Sequence, residues 1–141
     1  MTFRISTGAR NGLLGSGIDT MFDAGVLDIR AGAPPALADD APTGTLLASI
    51  TLPSPWLATA TGGSIAKSGV WSDANANNTG TAGWFRIRLG ADTGASSSTD
   101  LRMDGTLSLV AGGGDWEMDT TSVVAGGTVT VSAATFTQPA A

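Results

Sequence analysis

The sequence contains no histidine, no cysteine and no tyrosine, and it has one lysine, Lys67, and one glutamate, Glu117. Without histidine or cysteine there is no Ser-His-Asp or Cys-His nucleophile system, no zinc site of the usual nitrogen and sulfur type, no disulfide and no thiol redox motif. Only carboxylate chemistry remains, so the expectation is a protein that is not an enzyme and uses no cofactor or metal. Charge is sparse as well: 13% of residues are charged, the net charge is −5 and the sequence pI is about 4.3. Nucleic-acid binding needs a clustered positive field that displaces counterions. Seven scattered basic residues do not supply one, and no nucleic-acid partner is expected. No apolar run approaches the roughly 18 residues that cross a bilayer, and residues 1–5 lack the basic start and apolar stretch of a secretory leader. The expectation is no membrane contact and assembly in the cytoplasm.

Alanine, glycine, threonine and serine account for 74 of the 141 residues, while leucine, isoleucine, valine and phenylalanine account for 29. So few large apolar residues border on a disordered composition, but disorder usually couples that scarcity to high charge. Low charge and a length of 141 residues point instead to one folded, thinly cored domain over residues 1–141.

Residues 7–24 carry the helical signal. Within residues 10–23, Leu14, Ile18, Met21 and Phe22 fall on one stripe, Ser6 or Thr7 stands where a cap is expected, and Gly25 follows the end. Gly8, Gly12 and Gly15 lie opposite, each costing about 1 kcal/mol against alanine, so packing must hold this helix. The glycine face also suits close approach of another backbone. Residues 1–6 form an arm in which Phe3 and Ile5 alternate with Thr2 and Arg4. Too short to stand alone, the arm is expected to add to a sheet edge, that of a neighbouring protein rather than its own domain.

Beyond Gly25 the period shortens to two. Strands are predicted at residues 26–31, 45–52, 64–72, 84–89, 101–109, 116–118 (extending toward 123) and 128–137, separated by turn-rich stretches such as Ala33-Pro34-Pro35, Pro53-Ser54-Pro55 and Gly112-Gly113-Gly114. No helical pattern lies between them, which disfavours a parallel α/β sheet. The fold class expected is mainly β: an antiparallel β-sandwich or barrel of about seven strands with one short N-terminal helix.

Alternation assigns faces. Phe85, Ile87 and Leu89 point one way and Trp84, Arg86 and Arg88 the other; Trp116 and Met118 oppose Asp115, Glu117 and Asp119. Either the basic and acidic stripes meet, each cross-strand pair contributing about 0.2–1 kcal/mol, or each faces water separately. The carboxylate stripe has no nucleophile or cation beside it and reads as a strand face, not an acid–base pair. Residues 73–78, Asp-Ala-Asn-Ala-Asn-Asn, begin like a calcium loop, then depart from it with Asn78 at the glycine position and Trp84 at the bidentate glutamate position. A polar loop is the better reading. Gly15-Ser16-Gly17 lacks the rest of a dinucleotide fingerprint, and Lys67 follows Ala66 rather than a P-loop glycine.

Four tryptophans are the unusual feature. Trp116 is assigned to the core by its face. Trp84, sharing a face with two arginines, is either a partly exposed cation–π partner or an interface anchor. Trp56, in a proline-flanked loop, is covered either by a partner subunit or by its own domain. The candidate interface residues are therefore Phe3, Ile5, Trp56, Trp84, Arg86 and Arg88.

Several segments together resemble a known family. These are the Asp-Ala-Gly turn at 23–25 entering a strand, Pro-Ala-Leu-Ala-Asp-Asp-Ala-Pro-Thr-Gly-Thr-Leu-Leu-Ala at 35–48, and Gly-Thr-Ala-Gly-Trp-Phe-Arg-Ile at 80–87. Met-Asp-Gly at 103–105, Val-Ala-Gly-Gly-Thr-Val at 124–129 and Thr-Phe-Thr at 135–137 complete the set. Across nearly the whole chain they resemble small virion structural proteins of tailed bacteriophages, most of all head decoration (cement) proteins. That resemblance implies binding to the major capsid protein on the outer surface of the capsid and self-association, commonly as a trimer. A tail, tail-tip or head–tail connector component is the alternative within virions. A glycan-binding β-sandwich using Trp56 or Trp71 as a stacking platform is the alternative outside them. Residues 91–100 are longer than the turn usual in the family.

Overall fold

The computed structural model describes residues 3–9 and 17–137. Among them the strands are β1 (Arg4–Ile5), β2 (Val26–Ala31), β3 (Leu46–Thr51), β4 (Ser64–Ala66), β5 (Ser72–Asp73), β6 (Gly80–Arg88), β7 (Arg102–Leu109), β8 (Trp116–Met118), β9 (Ser122–Val123), β10 (Val129–Thr130) and β11 (Thr135–Thr137). One helical turn, α1 (Ile18–Met21), precedes β2, and residues 7–9 are also helical. The protein is mainly β, as the alternation implies.

The large sheet has the order β1-β7-β6-β2-β3, all antiparallel, with β9 added antiparallel to β6 and β8 added parallel to β7. It is an open sheet, not a barrel, because β1 and β3 end it without meeting. Two small sheets, β5 with β10 and β4 with β11, complete the fold. The single strands expected at 64–72 and 128–137 are each broken in two, and the parallel β7–β8 pair departs from the antiparallel expectation. Parallel neighbours normally need a crossover of a dozen or more residues. Here residues 110–115 suffice, because Ala111 (φ 66°) and Gly113 (φ 82°) fold the chain back tightly and the Gly114 amide donates to Ser108 Oγ.

One face of the large sheet is apolar and fully buried. Leu27, Ile29, Ala48, Ile50, Phe85, Ile87, Met103 and Leu107 contribute to it. Across the core, aromatic rings join this face to the small sheets: Phe85 stacks on Trp116 at 4.1 Å, Trp116 meets Trp71 at 5.4 Å and Phe136 at 5.2 Å, and Trp71 stacks on Trp56 at 5.7 Å. A chain poor in leucine and valine thus gains most of its core from a few large rings. Gly105, opposite Phe85 in the ladder, makes the stack possible: a Cβ there would lie 2.5 Å from Phe85 Cζ.

The helix from 7 to 24 is not continuous. Gly17 is extended (φ −73°, ψ 162°) and caps α1, and the stripe residue Leu14 lies outside the described residues. The left-handed residue after α1 is Ala24 (φ 53°) rather than Gly25; Gly25 is needed because a Cβ would meet the carbonyl oxygens of Arg88 and Phe22 at 2.9 Å.

Residues 73–78 cover the free edge of β3. Asp73 Oδ2 accepts from the Ser49 amide, the Asn77 amide donates to the Leu47 carbonyl, and Asn78 Nδ2 donates to the Leu46 carbonyl. The loop that resembles the start of a calcium site therefore saturates an edge strand.

Candidate functional site

The second face of the large sheet is a lattice of buried charge. Cross-strand register sets Arg4, Asp104, Arg86, Asp28 and Ser49 in one row over β1, β7, β6, β2 and β3. Signs alternate along it, so every neighbour is favourable. Arg86 grips Asp104 with Nε and Nη2 at 2.7 and 2.8 Å, and both side chains are almost wholly buried. Arg88 pairs diagonally with Asp28 at 2.7 Å, and Asp28 also accepts from Ser49 Oγ. Arg102, fully buried, holds Asp92 with two bonds of 2.6 Å and reaches Asp100 at 3.4 Å.

These arginines bind two loops onto the sheet. Arg86 donates to the Asp40 carbonyl, Arg102 to the Asp39, Asp40 and Ala95 carbonyls, and Arg4 to the Pro35 and Ala36 carbonyls. Residues 33–44 and 91–100 form the outer layer in this way, without an apolar core of their own. Burial, the largest influence, pushes the Asp104 carboxyl above its ordinary range although Arg86, Arg102 and Arg4 pull it down. Burial also acts to raise Asp92, but the Arg102 hydrogen bond, the Gly94 amide and the charges of Arg102 and Arg88 outweigh it and hold that carboxyl low. The hydrogen bond to Asp92 raises Arg102.

Most of the predicted interface residues are internal. Trp56 is fully buried, donates Nε1 to the Asp19 carbonyl and stacks on Trp71, so coverage comes from its own domain. Neither Trp56 nor Trp71, also fully buried, offers a face for stacking on a glycan. Trp84 is fully buried with Arg86 Cζ 5.6 Å from its ring centroid, a cation–π contact inside the domain instead of an exposed one or an interface anchor. Arg86 is inaccessible to a partner, and Arg88 is mostly covered. The acidic stripe does not meet them: the Asp115 carboxylate accepts from the Thr106 amide and hydroxyl, that of Asp119 accepts from Ser132 Oγ, and Glu117, whose backbone bridges to that of Ala133, makes no ion pair with either arginine among the described residues. The arm pairs with its own domain, Arg4 opposite Asp104 and Ile5 opposite Met103, so its expected neighbour is intramolecular. Phe3 packs on Phe136, Trp116 and Phe85 at 5.1 to 6.3 Å.

Sequence reasoning found the face of Arg86 and Arg88 but missed Asp28, Asp92, Arg102 and Asp104. The alternation of polar residues at 28 and 30 and at 102, 104 and 106 was the available signal.

An open groove of about 920 Å³ lies between Phe3, α1 and the β4–β11 sheet, with Phe3, Ile18, Leu57, Ile65 and Phe136 in its walls and Asp19 its one charged lining residue among those described. No acidic cluster suited to a metal occurs among the described residues. The chain matches no family model, no curated protein and no solved structure.

Proposed function

We propose that this protein is a structural component of a tailed-phage virion, a decoration protein that binds the outside of the capsid shell and reinforces contacts among major capsid subunits. The observation that carries the reading is the chain-wide resemblance of its turn and strand segments to such proteins, from the Asp-Ala-Gly turn at 23–25 to Thr-Phe-Thr at 135–137. The character of the domain supports it. Its tryptophans are buried, together with the charged side chains of Asp28, Arg86, Arg102 and Asp104, and its loops are rich in small residues, which suits a high-copy protein stabilised further by the lattice it joins. The short β1 edge with the groove beside it is where an extended segment of the capsid protein would add to the sheet. Self-association as a trimer follows the same family pattern.

Quantitation of the protein against the major capsid protein in purified particles tests this reading. Hundreds of copies per particle are expected. A dozen or fewer would replace the shell assignment with a tail or connector one, and absence from particles would remove both.

A further inference from the structure

We propose that the cavity between Arg30, Arg88 and the turn at residues 92–94 is a binding site for a small oxyanion, a carboxylate or phosphate group. This inference goes beyond the shell assignment and does not depend on it.

The cavity encloses about 140 Å³, and three arginines, Arg30, Arg86 and Arg88, line it. Two of these have carboxylate partners: Asp104 for Arg86 and Asp28 for Arg88. The carboxylate of Asp92, which also lines the cavity, is taken by Arg102. Arg30 has no ion pair among the described residues. Its side chain makes a single hydrogen bond there, from Nη1 to the Gly44 carbonyl, and its Nε is buried without an acceptor. Asp28, which also lines the cavity, is a nearby negative charge but its carboxylate is engaged by Arg88 and Ser49. A half-buried guanidinium with donors to spare and no direct ion pair is costly unless an anion compensates it. Burial, the largest influence, lowers the pKa of Arg30, and Arg86 and Arg88 add to it against the opposing charges of Asp28 and Asp104, so an anion here would relieve desolvation and like-charge repulsion together. Guanidinium forks match carboxylate and phosphate geometry, and the exposed Thr93 also lines the cavity.

The test uses the full chain and its Arg30→Gln variant, with sodium phosphate and sodium acetate compared against sodium chloride at equal ionic strength. Generic stabilisation by phosphate is common to both proteins, so the excess in wild type reads the site. At saturation that excess should be about 2–4 °C in Tm, and amide resonances of Thr93 and Gly94 should move during the titration. A response to acetate alone assigns a carboxylate ligand, to phosphate alone a phosphate ligand, and to both a general oxyanion site. An equal response in Arg30→Gln, no response to either anion, or amide shifts confined to other regions would overturn the proposal. If Arg30→Gln does not fold, the amide titration of the wild type decides by itself.

Discussion

Gly105 shows how narrowly a single position is constrained in this core. The ring of Phe85 lies against it and is stacked on Trp116 at 4.1 Å, and Phe3 also approaches, so an added methyl forces packed aromatic rings to shift. Gly105→Ala should destabilise the protein by about 1–3 kcal/mol, measured by denaturant unfolding. The Arg86–Asp104 pair poses a different problem, since it is buried and its loss on one side strands a charge. Asp104→Leu alone should cost about 3–5 kcal/mol, whereas Arg86→Met with Asp104→Leu should recover most of that loss, because apolar replacement of both partners is often close to neutral. A double variant as unstable as the single one would mean that Arg86 contributes chiefly through the Asp40 carbonyl. The sequence made the face of Arg86 legible but not its partner. Alternation fixes which side of a strand a residue occupies, while Asp104 lies 18 residues away and only the ladder register brings it opposite.

At the scale of elements, strands with clean alternation were the readable ones. Residues 26–31 form a strand with the bounds expected, and the strand expected at 101–109 is observed one residue shorter. The expected strands at 64–72 and 128–137 pair with each other at both ends but break in the middle, where residues serve other partners: Lys67 bridges Leu57, the Ser68 amide donates to the Trp56 carbonyl and Ala133 bridges Glu117. Such long-range pairings leave no local pattern. The same holds for the arm, whose period of two announced a strand without naming the edge it joins. Because Phe3 packs on three core rings and Arg4 reaches the 33–44 loop, removing residues 2–5 should lower the Tm of the isolated protein by several degrees, as calorimetry would show. Unchanged Tm would return the arm to an intermolecular role. At the opposite edge, Asp73→Ala with Asn78→Ala uncovers backbone groups of β3, and unpaired edges recruit other strands. Light scattering on heating should then rise earlier than in wild type.

For the whole molecule, stability against pH follows from the outer layer of loops. Asp92, whose pKa is held low on folding, contributes stability at neutral pH that is lost as pH falls through its folded pKa, below the ordinary aspartate value of about 3.9. Asp104, shifted upward, acts with the opposite sign: its contribution is present in acid and lost as pH rises through its raised pKa. Asp92→Asn should therefore lower Tm at pH 7 and flatten the fall in Tm on acidification, and a fall as steep as that of wild type would exclude Asp92 as its source. The placement of the tryptophans has an optical consequence. Trp56, Trp71 and Trp116 are in ring contact in the core, Trp84 lies on the other face of the sheet over Arg86, and none has more than 2% of its surface exposed. Their emission is therefore expected at short wavelength, out of reach of iodide, with the three contacting indoles giving a strong coupled signal in the near-ultraviolet circular dichroism. Docking of any partner on the surface should leave that spectrum unchanged. The fourth indole reports separately on whether the loops remain clamped to the sheet, so a Trp84→Phe protein compared with wild type divides the light of the molecule into one signal for its centre and one for its outer layer.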